Sequence, residues 1–208
     1  MVPIKRDPES TRGVILEAAF NEIHEHGFQA ASIDNIIAHT GVTKGALYHH
    51  FPNKQALGYA VIDELIAPRF AARWKVLIES NDPITIMQDY LSEAGCDEML
   101  KQKINFGCPL NNLAQEMSPI DEGFRIRIER VFDGWRAAKI EAFKRGQAAG
   151  TVSADVDVEQ IVNFLMASIE GAISLAKNAK SIELFQSCAD AMSTYLESLR
   201  PSKKQETV

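Results

Sequence analysis

The chain is 208 residues long, 46% hydrophobic and 24% charged, with a formal net charge of -6 at pH 7. These values are ordinary for a soluble globular protein that can bury a sizeable core in one or two domains, and the acidic total gives no argument for a nucleic-acid partner. Three cysteines, Cys96, Cys108 and Cys188, are odd in number and widely spaced, which speaks against a disulfide scaffold and for a reduced cytoplasm.

Hydrophobic periodicity is helical throughout and no stretch alternates as a strand does, so an all-α fold of about nine helices is expected. Asp7-Pro8 opens the first helix, in which Ile15, Leu16, Ala19, Phe20 and Ile23 recur at helical spacing, and Gly27 is placed to cap it. Ser32 is placed to cap a short second helix carrying Ile33, Ile36 and Ile37, ended by Gly41. Thr43 caps a short third helix. Asn53 caps a long fourth that runs into the seventies, where Pro68 is expected to kink or divide it. After Asn81-Asp82-Pro83 a fifth helix extends to about Leu100. A loop around Phe106 and Gly107 leads to a sixth, Pro109 to Met117. Ser118 is expected to cap a long seventh helix with Phe124, Ile128, Val131, Trp135, Ala138 and Ala142 on one face and Gly150 at its close. Asp157 to Gln160 reads as a capping box for the eighth helix, and the ninth runs from Ser181 to Pro201. The most apolar long stretch, Ile161 to Ala176, is broken by Asn163 and Glu170, so no membrane span is expected. The change from short helices to long ones divides the chain into 1–53 and 54–208.

The first part holds the chemistry. Residues 1–55 carry five bases and six acids, yet no acid stands between Asp34 and Asp63, a window that contains His39, Lys44, His49, His50 and Lys54. Within it lie two glycines, Gly41 and Gly45, each costing a helix interior about 1 kcal/mol relative to alanine. A helix, a short glycine-containing turn and a second helix make a helix-turn-helix unit. Gly41 fits the turn, and Val42 can plug the angle between Ile37 and Leu47. Gly45, without a side chain near a helix start, lets the main chain approach a phosphate or base edge. The outward face of the third helix offers Thr43, Lys44, Ala46, Tyr48 and His49, while Leu47 and Phe51 point inward. That surface suits a DNA major groove: Lys44 for phosphate or guanine, Ala46 for a thymine methyl, Thr43, Tyr48 and His49 for phosphates or base edges. His50 is expected to pack between helices.

Ile15-Leu16-x-x-Ala19, Gly27-Phe28, Ser32-Ile33-x-x-Ile36 and Gly41-Val42-Thr43-Lys44-Gly45-x-Leu47-Tyr48-x-His50-Phe51-x-Asn53-Lys54-x-x-Leu57 together resemble the TetR family of bacterial one-component transcriptional regulators. The resemblance implies a DNA-binding regulator, as a family prior a repressor released from a palindromic operator by a small-molecule effector, with Tyr48 and Lys54 on phosphate. The expected DNA-contacting set is Ser32, Thr43, Lys44, Gly45, Ala46, Tyr48, His49 and Lys54. Four positions depart from the family pattern, Ser32, Ile37, Thr40 and Thr43, and none removes a hydrogen-bond donor.

In the eighth helix Ala167, Ser168, Gly171 and Ala172 permit close approach of another helix. In the ninth, Phe185, Cys188, Met192, Tyr195 and Leu199 form a heptad-like seam. Periodicity alone allows intramolecular core or a subunit interface; the resemblance implies a homodimer through helices eight and nine. The middle of the chain is expected to hold the effector site, with Phe106, Met117, Trp135, Phe164 and Met166 as apolar lining and Asn111, Asn112 and Glu170 as polar contacts. Phe106 to Met117 also resembles a motif of a TetR subgroup, and Lys177 falls where a lysine partners Cys108 in an electrophile-sensing branch. Cys108, at a helix N-terminus, is therefore either an inert buried thiol or a sensor. No cofactor, metal site or enzymatic activity is expected: His49 and His50 lack further ligands at suitable spacing, His24 and His26 do not share a helix face, and no carboxylate pair, nucleophile motif or phosphate loop converges.

Overall fold

The computed structural model describes residues 8–38, 40–93 and 105–202, and among them no strand occurs. Asp7 as a cap, His39, Cys96 and the reach of the fifth expected helix to Leu100 lie outside the described residues. The elements are α1 (Pro8–His26), α2 (Ile33–Ala38), α3 (Lys44–His50), α4 (Lys54–Ala60), a π-helical segment (Val61–Ile66), α5 (Ala67–Arg73), α6 (Lys75–Glu79), α7 (Pro83–Glu93), α8 (Pro109–Met117), α9 (Glu122–Ala149), α10 (Val158–Ala179) and α11 (Ile182–Ser198). The helices expected as eighth and ninth are thus α10 and α11.

Most ends are set by the residues that the sequence offers. Thr43 accepts from Ala46 N–H, Asn53 from Ala56 N–H, Asp157 from Glu159 and Gln160 N–H, and Ser181 from Leu184 N–H, each satisfying donors that a helix leaves open. Gly27 and Gly41 take φ of +83° and +64°, the left-handed conformation that a Cβ disfavours. At α9 the expectation is corrected: Asp121, not Ser118, is the cap, accepting from Phe124 N–H at 3.0 Å. Asp121 also receives the Tyr59 hydroxyl at 2.8 Å and the Gln55 amide, partners that Ser118 does not have in any described bond.

The expected division of the long fourth helix is corrected. The helix neither ends nor separates at Pro68, which lies inside α5. The preceding segment is π-helical, with the Ala67 N–H bonded back to Ile62 O. This wider turn comes just where the proline ring would crowd a regular helix. The break falls instead at Trp74, whose φ of -94° and ψ of 3° separate α5 from α6.

The chain forms two compact units, 1–70 with 109–131 and 71–108 with 132–208. The first therefore contains the three short helices and extends past residue 53 through α4, the π segment and α8. Its core includes Ile15, Ala19, Ile36, Leu47, Phe51, Leu57, Val61, Leu110 and Phe124. The second is built on α7, α10, α11 and the later part of α9, around Ile84, Met87, Phe143, Val162, Leu165, Ile169, Phe185 and Leu196. By length and composition α10 could cross a membrane. Its apolar face, Val158, Ile161, Val162, Leu165, Met166, Ile169, Ala172, Ile173 and Ala176, is buried, and it packs along α11. It is a core helix of this unit.

Candidate nucleic-acid interface

α2 and α3 sit in the first unit as a helix pair joined by Thr40 to Thr43. Thr40 Oγ1 donates to Ile37 O at 2.9 Å and accepts from Val42 N–H at 3.1 Å, tying the turn to the end of α2. Leu47 (0% exposed) and Phe51 (2%) anchor α3 from its inner side. Thr43, Lys44, Gly45, Tyr48 and His49 are exposed along the other side, with Ala46 half-buried. A Cβ built on Gly45 meets nothing within 4 Å, so no neighbour in the described protein accounts for glycine there. His50 is half-buried, its ring 5.6 Å from that of His49 and 6.4 Å from Phe51, its neighbours in the chain.

The cations are less free than the sequence suggests. Lys44 Nζ lies 2.9 Å from the Asp34 carboxylate, so the acid at the edge of the acid-poor window folds back onto it. This contact raises the lysine pKa, chiefly through the hydrogen bond. Both side chains are more than half exposed, and water screens such a surface pair enough for a phosphate to displace the acid. Lys54 Nζ donates to Gln29 O at 2.9 Å and lies 4.9 Å from the Phe28 ring centre; burial lowers its pKa. Ser32 is half-buried, its N–H on Glu22 and its Oγ 3.4 Å from Asn35 N–H.

One functional candidate in this unit was not seen in the sequence. Glu116, in the last turn of α8, accepts from Phe28 N–H and Gln29 N–H, each at 2.8 Å. It clasps the turn between α1 and α2. Glu116 is the acid of the Phe106–Met117 motif, and its spacing alone says nothing of that distant turn.

The expected effector residues divide between the units. Asn111 and Asn112 (half-buried) and Met117 (buried) belong to the first; Phe106, Cys108, Trp135, Phe164, Met166, Glu170 and Lys177 belong to the second. Cys108, Trp135 and Met166 are buried and Phe106 and Glu170 half-buried, while Lys177 is exposed in the last turn of α10. Phe164 is corrected: it is 52% exposed, edge-on to Tyr195 at 5.0 Å, in a shallow groove with Gln160, Ile161 and Leu199. It therefore lines the outer face of α10 and α11 instead of an interior. Charges at Cys108 and Glu170 help raise the Tyr90 hydroxyl, after burial as the main cause and against Arg73, so the structure brings these groups into one neighbourhood of the second unit.

A short glycine-turned helix pair with an exposed, side-chain-sparing first turn defines a helix-turn-helix DNA-binding protein. Residues 15–61 match the family described as bacterial regulatory proteins, tetR family, and residues 89–192 match the tetracyclin repressor-like C-terminal domain. The chain belongs to the TetR family, and it is a DNA-binding transcriptional regulator, a non-enzymatic protein. It is 27% identical to the HTH-type transcriptional repressor DhaR of Mycobacterium sp. (strain GP1), over 86% of each chain. It is 29% identical to the transcriptional regulator AcuR of Cereibacter sphaeroides, over 78% of this chain and 74% of that one. A TetR transcriptional regulator from Chloroflexus aurantiacus superposes with a TM-score of 0.79 at 26% identity, over 91% of this chain and 95% of that one.

Proposed function

We propose that this regulator is a repressor that binds a palindromic operator as a homodimer and releases it when a small-molecule effector enters residues 54–208. Residues 1–53 do the reading. The observation that carries this is the exposed row Thr43, Lys44, Gly45, Tyr48 and His49 on α3, opposite a buried Leu47. In the bound state Lys44 exchanges Asp34 for phosphate or guanine, Tyr48 and Lys54 take phosphate, and Ser32 and Ala46 lie against the same groove. Repressor names among the relatives support the direction of control.

The dimer joins α10 and α11 of two copies. Phe185, Met192 and Leu199 of the seam are buried within one chain, so the seam alone does not form the interface. The exposed Phe164, Ala167, Gly171 and Leu175 on α10, spaced three and four apart, leave a stripe for the partner. Two recognition helices then meet half-sites about 34–36 Å apart, or a multiple. The protein acts in the cytoplasm, where its operator lies.

Electrophoretic mobility shift with DNA upstream of its own gene, followed by footprinting, tests the reading. A protected palindrome supports it; equal affinity for scrambled duplex overturns it. Thiol sensing through Cys108 and Lys177 is the second form of this control, and the burial of Cys108 (6% exposed) weighs against it.

A further inference from the structure

Lys139 is the buried charged side chain among the described residues, at 0% exposure. It lies on α9 one turn after Trp135. Its Nζ is 3.7 Å from the Trp74 ring centre, 5.2 Å from that of Trp135, and 3.1 Å from Met87 Sδ. Lys139 forms no ion pair with a carboxylate among the described residues; the Glu170 carboxylate acts on Tyr90, the ring beside Trp74, and not on Lys139, and a thioether is a weak acceptor. Trp74 brings a second donor: its Nε1 is buried with no acceptor among the described residues. Trp74 has bridge-region backbone and is buried, its indole stacked on Trp135 at 5.6 Å and tilted against Tyr90 at 5.1 Å. All of these residues lie in the second unit.

Two buried donors thus stand together without an oxygen acceptor. Buried polar groups are almost always satisfied, and an unsatisfied one keeps its full desolvation cost. The missing partner must accept two hydrogen bonds and carry one negative charge, and its remainder must suit indole faces, a phenol ring and a thioether. A polyanion would need more donors than these; a neutral amide supplies no countercharge. We infer that Lys139 and Trp74 form the recognition end of an effector site for a small organic carboxylate with an apolar body. One carboxylate oxygen takes the Lys139 ammonium and the other the Trp74 indole N–H. This rests on the effector-controlled reading above. Burial lowers Lys139 to about 7, so ammonium and amine are both accessible near neutrality and the anion selects the ammonium.

Trp74 and Trp135 are the two tryptophans of the chain, so intrinsic fluorescence reports from this site alone. Hexanoate, benzoate and phenylacetate are titrated against their neutral amides, with the wild type, Lys139→Met and Trp74→Phe, and thermal melts verify folding. At least one acid is expected to bind about tenfold or more tightly than its amide, a preference lost in Lys139→Met and weakened in Trp74→Phe, where Trp135 still reports. The inference falls if none of the three acids is preferred over its amide, a comparison that needs no variant, or if Lys139→Met binds as the wild type does. Operator release is scored separately. Acid binding without release keeps the site and removes the effector reading; release by a neutral compound that leaves the fluorescence unchanged does the reverse.

Discussion

The Glu116 carboxylate holds the backbone N–H groups of Phe28 and Gln29 at 2.8 Å each. One acid at the end of α8 thereby fixes the turn that leads into α2. The same turn is gripped from another side by Lys54, through Gln29 O and the Phe28 ring. A Cβ on Gly27 would come within 3.1 Å of the Glu116 carboxylate, so the turn is built to admit the acid closely. The turn that leads into the helix pair is thus held by a residue far from it in the chain.

Glu116→Ala is expected to lose about 1–3 kcal/mol, because two N–H groups lose a charged acceptor. Glu116→Gln should lose nearly as much, since its amide nitrogen must face one of the two donors. Urea unfolding measures the stability. Operator affinity measured beside it should fall in both variants, and unchanged affinity would show that the clasp does not set the helix pair.

Gly45→Ala separates folding from recognition. The open surroundings of Gly45 accept a methyl, so the variant should gain up to about 1 kcal/mol in stability. On operator DNA it should lose about tenfold, because the methyl stands between main chain and groove. Lys44→Ala should weaken binding and reduce the salt slope by about 1. Asp34→Asn, which frees Lys44, should tighten it at low salt.

Lys139→Met is expected to be more stable than the wild type, and by a pH-dependent amount. Burial lowers the lysine from 10.5 to about 7, so between those values the unfolded chain holds a proton that the folded one has lost. Wild-type stability therefore rises with pH across that window, and below about 7 the full cost of the buried ammonium remains. The advantage of the variant should be roughly 2–5 kcal/mol near pH 6 and fade toward pH 10. Denaturant melts of both proteins at pH 6, 8 and 10 give the difference; a constant gap would mean that the amine does not titrate as burial requires.

Leu175→Arg and Phe164→Glu, at positions 57% and 52% exposed, should cost a single chain little. Placed in the proposed interface they should yield monomers by light scattering and abolish operator binding. Dimers of normal affinity would move the interface elsewhere.

Cys108 should resist iodoacetamide in the native protein and react in urea, as read by peptide mass spectrometry, because its sulfur is buried. Native labelling with parallel loss of operator binding would favour the thiol form of control.

The helix-turn-helix was legible in the sequence because short-range signals define it: a threonine cap, a glycine turn, and Leu47 and Phe51 at core spacing. What the sequence hid was long-range. The window between Asp34 and Asp63 lacks acids along the chain but not in space, where Asp34 meets Lys44. Ser118 reads as the cap along the chain, and only Tyr59 and Gln55, brought from α4, favour Asp121 in its place. Phe164 has the spacing of its buried neighbours, and periodicity cannot say which edge of a stripe remains outside. Lys139 stays hidden in the sequence for a related reason: a lysine beside core positions reads as a solvated residue, and only the fold brings two indoles around it.

The π-helical segment Val61–Ile66 amounts to one surplus residue in a continuous rod. Past it, Arg69 reaches Glu17 at 2.5 Å and lies 4.7 Å from the Phe20 ring centre. Deleting a single residue from the segment would rewind the rod to regular pitch and swing Arg69 by about 100° around its axis, away from both. The alignment of this arginine with the first helix is thus a matter of counting, and a one-residue deletion would undo it while leaving every side chain involved intact.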